Sequence, residues 1–205
     1  MTDNTGSGIT VLAGQDNSSS NDMYATISGN TVERNDGNGI GAFAGLGAFF
    51  LPTGTSNNNT LDLEITGNTV RDHPRTGISV ASGVGSSDGR AGAIANNNQV
   101  TAKVNNNTVE DSDRFGIGIV GASSGLANSN QVSAEAVKNR ACGSGITDIQ
   151  VYGGFPGDAS TPPVSGVNNV AQVKATQNTA TTIAAANGVA GNFAFFTQSN
   201  NVPCP

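Results

Sequence analysis

Apolar and polar positions alternate with a period of two over five stretches of this chain, each ending three residues before an asparagine: Asn30, Asn68, Asn107, Asn139 and Asn178. Seven residues before these anchors stand Met23, Leu61, Val100, Val132 and Ala171. Five before are Ala25, Leu63, Ala102, Ala134 and Val173, and three before are Ile27, Ile65, Val104, Ala136 and Ala175. The intervening positions are polar, so each stretch predicts a strand with one buried face. Four residues before the anchors the order is Thr26, Glu64, Lys103, Glu135, Lys174. Strands stacked in parallel about 4.8 Å apart would make this a column of alternating charge, a ladder of cross-strand ion pairs.

The stretches belong to a longer repeat. Ile27-Ser-Gly-Asn-Thr-Val32, Ile65-Thr-Gly-Asn-Thr-Val70 and Val104-Asn-Asn-Asn-Thr-Val109 are copies of one motif, followed at equal distance by Gly39-Ile40, Gly77-Ile78 and Gly116-Ile117. Two degenerate copies carry Asn139 with Gly145-Ile146 and Asn178 with Gly188-Val189, and Gly8-Ile9 is a leading half copy. The anchors lie 38, 39, 32 and 39 residues apart, a solenoid period. Nine residues before them runs a second column, Asn21, Asn59, Asn98, Asn130 and Asn169. Asparagine suits a stacked corner: it tolerates left-handed backbone, and its amide can donate to one neighbouring rung while accepting from the other. Glycine at the third corner supplies positive φ or close backbone approach. Each coil is thus expected to hold three strands, with long variable connections such as 45–56 and 153–167 after the third.

This unit resembles the right-handed parallel β-helix repeat of the pectate-lyase-like superfamily, in which an aliphatic-x-Gly-Asn-Thr-Val segment is followed by a short spacer and Gly-Ile. The resemblance covers Gly8 to about Phe195. It implies an all-β, single-stranded right-handed parallel β-helix of five to six coils, three parallel sheets and Asn ladders at two corners. One domain is expected over 1–205, with 1–13 an incomplete first coil, 14–191 the repeats and 192–205 a C-terminal cap. The chain opens in mid-coil, which suggests a piece of a larger protein. The superfamily holds lyases, hydrolases, epimerases, adhesins and proteins without known activity, so the resemblance is specific for fold and not for function.

Composition now takes on a meaning. The 28 Gly and 26 Asn, with 12% charged residues, would otherwise describe a linker, but many of them fall in the corner columns. A net charge of −6 offers no basic footprint for nucleic acid, and no stretch approaches the roughly 20 apolar residues of a membrane span. Met1 is not followed by a charged and apolar leader, although the repeat class points to a secreted or cell-surface protein. One His and two Cys cannot make a zinc site, and Cys142 and Cys204 are either free thiols or a bridge pinning the tail. A sheet face or a solenoid end would be the route to a homo-oligomer.

Candidate chemistry is sparse. Arg71-Asp72-His73-Pro74-Arg75 holds the single His, expected as a solvated turn residue, and a catalytic version would join Arg71, Asp72 and His73 to Asp111 and Arg114 of the next coil. Stacking offers another account, since Glu33, Arg71 and Glu110 share one column and Arg34, Asp72 and Asp111 the next. Asp72, Asp111 and Asp113 are the candidate oxygen ligands for a Ca²⁺; no other cofactor is indicated. The resemblance implies a substrate groove along the third strands, whose outward positions, Gly41 and Phe43, Ser79 and Ala81, Gly118 and Val120, contain no carboxylate pair such as glycoside hydrolysis needs. Phe43, Phe49, Phe50, Tyr152 and Phe155 lie on these strands or just beyond, as seals for the loops or as a platform for a sugar or a partner chain. Two expectations follow: a non-catalytic module that binds a glycan or a partner protein or acts as a spacer, or a polysaccharide lyase, glycoside hydrolase or uronate epimerase.

Overall fold

The computed structural model describes residues 1–48, 53–86, 93–123, 125–156 and 164–205. Two strands open the chain, β1 (Ile9–Gln15) and β2 (Ser18–Ser19). The next coil contains β3 (Asp22–Ser28), β4 (Thr31–Glu33), β5 (Ile40–Ala48) and β6 (Thr55–Asn57). It is repeated by β7 (Thr60–Thr66), β8 (Thr69–His73), β9 (Ile78–Ser86) and β10 (Ile94–Asn96). A third copy has β11 (Gln99–Asn105), β12 (Thr108–Ser112), β13 (Phe115–Ser123) and β14 (Leu126–Asn128). Then come β15 (Gln131–Val137), β16 (Arg140–Cys142) and β17 (Thr147–Gly154), followed by β18 (Val170–Thr176), β19 (Ile183–Gly188) and β20 (Phe193–Ser199). All strand pairings are parallel, and the chain is a parallel β-helix. Among the described residues no helix is long and apolar enough to cross a membrane.

Among the described residues four sheets form, where the sequence predicts three. Two have six strands, β1-β5-β9-β13-β17-β19 and β20-β18-β15-β11-β7-β3, and two have four, β16-β12-β8-β4 and β14-β10-β6-β2. The unforeseen one is the last, just ahead of the first Asn corner. Each of its longer strands has three residues and one small inward side chain, Ser56, Ala95 or Ala127, which is too short for an alternation to show. The core is the stack of predicted columns. Leu61-Val100-Val132, Leu63-Ala102-Ala134 and Ile65-Val104-Ala136 are in register and buried, and Val32-Val70-Val109-Ala141 faces them from the short strands. Burying a Val, Leu or Ile contributes roughly 1.5–3 kcal/mol, and each rung repeats the gain.

The fourth wall of the core is the Ile column, and here two assignments need correction. Ile40, Ile78 and Ile117 are stacked as expected, but the next members are Ile149 and Ile183, not Ile146 and Val189. Ile149 keeps the ten-residue distance from its anchor, while Ile146 is 55% exposed. Asp148 stands where the preceding copies have Gly39, Gly77 and Gly116. Its buried carboxylate accepts from the Ser144, Thr181 and Thr182 amides, so a side chain closes that corner.

Both Asn ladders are present and extend one rung beyond the predicted members. Asn21-Asn59-Asn98-Asn130-Asn169 continues to Asn192, and Asn30-Asn68-Asn107-Asn139-Asn178 continues to Asn201. In every step the lower Asn donates both its backbone N–H and its Nδ2 to the Oδ1 above, at 2.7–3.1 Å in the side-chain bonds. From Asn68 and from Asn98 onward the second amide hydrogen reaches a carbonyl of the rung below, as from Asn107 to Ile65 O at 2.9 Å, whereas that of Asn59 reaches the Ser56 hydroxyl. The tail residues after Asn192 therefore supply another rung: β20 pairs in parallel with β18, and Cys204 is bonded to Cys142.

The predicted charge column is in register, Lys103 opposite both Glu64 and Glu135, and Glu135 opposite Lys174. Among the described residues it closes no ion pair within 4.0 Å. These side chains lie on the outer face, where water screens them and holding two long side chains together costs entropy.

Candidate functional site

The third strands are long because they do two things. Their first half lines the core with Ile and small aliphatic residues; then two successive buried residues, Ala44-Gly45 and Ser82-Gly83, turn the strand at the Asn59 to Asn130 corner. The glycines are needed there, because a Cβ on Gly45 would stand 2.4 Å from Asn98 Nδ2 and one on Gly83 2.4 Å from Asn130 Cγ. This phase slip turns Leu46 and Val84, which strict alternation would send inward, onto the outer face beside Phe43 and Ala81.

A groove of about 440 Å³ results on the outer face of this sheet. Leu12, Phe43, Ala81, Val120, Leu46 and Val84 give it an apolar floor. One wall is formed by Phe115 and Phe155, with Tyr152 packed beside them, the three rings in edge-to-face contact with centroids 5.5–6.3 Å apart. The Arg114 guanidinium lies 5.5 Å from the centre of Phe115 and 5.2 Å from that of Phe155, a cation–π seat on two rings. On the preceding rungs the same end of the strands is polar, with Ser7, Asn38, Thr76, Asp36 and the exposed Arg75.

Three of the five predicted aromatic ligand residues, Phe43, Tyr152 and Phe155, belong to this cluster; Phe49 and Phe50 lie outside the described residues. The sealing role is visible, since Phe155 is buried against the sheet from the segment after β17. Leu12, Leu46, Val84 and Phe115 were not singled out by the sequence, and Arg75 only as the end of the Arg71–Arg75 string. Phe115 could have been, because it stands at the same distance from its anchor as Asn38 and Thr76, both on the groove border. Leu46 and Val84 are hidden by the phase slip.

The second candidate group does not assemble. Arg71 lies 2.9 Å from a Glu33 carboxylate oxygen, an ionic contact without hydrogen-bond alignment, and Arg140 donates to Glu110 at 2.9 Å. Asp72 and Asp111 are exposed and hold left-handed backbone, φ 58° and 53°, in a corner column that also contains Arg34 and Gly143. One residue on, the chain turns inward, and His73 is 1% exposed instead of solvated. Its Nδ1 and Nε2 lie 3.3 and 3.2 Å from the carbonyl oxygens of Asn35 and Val32, in an interior column with Asn35 and Ser112. The left-handed residue causes the inversion, because it breaks the alternation that would have carried His73 outward. Arg114, the last proposed partner, is engaged with the aromatic wall.

Asp72, Asp111 and Asp113 occupy exposed corner positions, and among the described residues no group of three or more His, Cys, Asp or Glu side chains is placed to hold a metal ion. Asp3 and Arg34 form an exposed ion pair at the first rung. Their mutual hydrogen bond, 3.0 Å from Arg34 Nε to Asp3 Oδ1, draws the carboxyl below and the guanidinium above their ordinary values. No protein-family model, no curated protein and no solved structure matches this chain.

Proposed function

We propose that this chain is a non-catalytic β-helix binding module of the pectate-lyase-like type, which takes a glycan or a partner segment in the groove over Phe43, Ala81 and Val120. The groove itself carries the reading. The outer face of a sheet is ordinarily polar, and this one collects Leu, Val and Phe side chains on adjacent rungs beside two arginines. A rigid floor of parallel strands holds such a surface without an ordering cost on binding. The Cys142–Cys204 bond fits an oxidising compartment, and the reading therefore includes export or surface display.

A glycan array run beside analytical ultracentrifugation tests both occupants. Sugar binding or self-association that Phe43→Ala weakens supports the module. Turnover of a uronate polymer by the wild type, abolished in Asp72→Ala, would replace it with the enzymatic reading.

A further inference from the structure

We infer that the groove holds its glycan by one neutral hexopyranose ring, stacked on Phe43 and hydrogen-bonded by Asn38, Thr10 and Ser79, with Asp36 and Arg75 at its border. The inference rests on the binding-module reading and names the class of ligand. Three observations carry it.

The first is which part of the groove is open. Phe115 and Phe155 are 5% and 4% exposed, and Leu46, Ala81, Val84 and Val120 are also buried. Phe43, Leu12 and Ser79 are only half-buried, and Thr10, Asp36 and Arg75 are exposed. The accessible part therefore lies on the first rungs and offers a ligand one aromatic ring. A single ring matches a single sugar.

The second is the shape around that ring. Gly41 stands two residues before Phe43 on the same face of β5, and a Cβ there would meet Phe43 Cε2 at 3.1 Å and Cζ at 3.2 Å. The ring leans back along the strand over a bare backbone position. Gly41 is paired with Thr10 on the preceding rung and with Ser79 on the following one, so a hydroxyl flanks the ring tip on either side at the roughly 4.8 Å spacing of strands. A pyranose has the matching form, with C–H groups on its face and hydroxyls on its perimeter.

The third is hydrogen-bonding capacity that the fold leaves unused. Asn38 Oδ1 accepts from the Thr76 backbone N–H at 3.3 Å, which fixes the end of the amide that faces the groove. Its Nδ2 lies 3.6 Å from the place a Gly41 Cβ would take and has no acceptor among the described residues. Asp36 and Arg75 close no ion pair within 4.0 Å, with each other or with another described residue. A carboxylate that accepts and a guanidinium that donates suit the two hydroxyls of a vicinal diol. Their charges cancel, and in a chain of net charge −6 such a border disfavours an anionic sugar.

NMR titration of the isotope-labelled chain tests this with methyl β-galactopyranoside, methyl β-glucopyranoside and methyl β-galactopyranosiduronic acid. A neutral glycoside is expected to bind one per chain with a Kd on the order of 1 mM, the affinity of one stacked ring and a few hydrogen bonds. The uronate should bind more weakly. Amide shifts should centre on Thr10, 38–43 and Ser79. Asn38→Asp keeps the acceptor for Thr76 and removes the donor, so it should retain the wild-type melting temperature and weaken binding about tenfold. Phe43→Leu keeps an apolar contact with the sheet and removes the aromatic face, and should weaken binding about fivefold. Tighter binding of the uronate, shifts centred on another face, or unchanged affinity in both variants overturns the proposal. Absence of binding by either neutral glycoside, beside a glycan-array signal that Phe43→Ala weakens, overturns it and leaves the module standing; absence of glycoside binding, array signal and self-association together removes the module as well.

Discussion

The three asparagines of Asn57-Asn58-Asn59 look alike in the sequence and do different work. Asn57 accepts from the Asn96 amide in a third, shorter ladder that Asn128 continues, Asn58 takes left-handed backbone at φ 56°, and Asn59 is a fully buried member of a main ladder. The division repeats in Asn96-Asn97-Asn98, and in 105–107, where Asn105 accepts from the Val137 amide. The left-handed residue is therefore the one before the ladder Asn, not the ladder Asn itself. Asn107→Ala removes the acceptor of the Asn68 backbone N–H and a donor to Ile65 O, both buried, and one of the partners of Asn68 Nδ2 and Asn139 Oδ1, and should cost about 3 kcal/mol at roughly 1–3 per stranded group with partial relaxation. Asn106→Ala forces alanine into φ 55° and should cost about 1 kcal/mol. Equal urea midpoints for the two would show that the ladder carries no special weight. Lys138 occupies the same left-handed column as Gly29 and Gly67, so Lys138→Gly should raise stability by about 0.5 kcal/mol, read from the same melts.

The glycines before the third strands make the same point for elements. Gly39, Gly77 and Gly116 have ordinary φ, so of the two roles open to them in the sequence, close approach is the one in use. A Cβ on Gly77 would meet Val109 Cγ1 at 2.3 Å and Gly116 O at 2.8 Å, because the third strand there crosses against the short one. Gly77→Ala is expected to cost about 3 kcal/mol or more by overpacking, whereas Gly67→Ala, at φ 65° with open space, should cost about 1 kcal/mol. Thermal melts that rank the two the other way would place the crowding elsewhere. Strand columns and ladders were legible because one chemical demand recurs on every rung and the copies vote together. The three-residue strands of the fourth sheet, the slip at Ala44-Gly45 and the inward turn after Asp72 were not. Each replaces a period of two with a local backbone event that hydrophobicity does not record. The candidate site suffered most, since Leu46, Val84 and His73 all lie just beyond such an event.

In the whole molecule each coil packs on its neighbours, so stability is a sum along the axis and local opening should follow position. Strand β11 alternates buried and exposed residues between two partners, with Val100, Ala102 and Val104 covered on both sides. β3 has one neighbour and one fully buried residue, Ile27, and β19 exposes nearly all its side chains. Amide exchange should therefore be slowest in β11 and β15 and fastest in β1, β3 and β19. β20 also has one strand neighbour, but the Cys142–Cys204 bond closes a loop with a sequence separation of 62 and ties the strand's end two rungs back. By chain entropy such a link is worth about 4 kcal/mol. Reduction should accelerate exchange in β20 by orders of magnitude, carry into β18 through the Asn192 and Asn201 contacts, and leave β11 unchanged. Uniform acceleration along the chain would mean that the solenoid opens as one cooperative unit, and no acceleration in β20 would mean that the last rung is held by its own packing of Ala194 and Phe196 on the core.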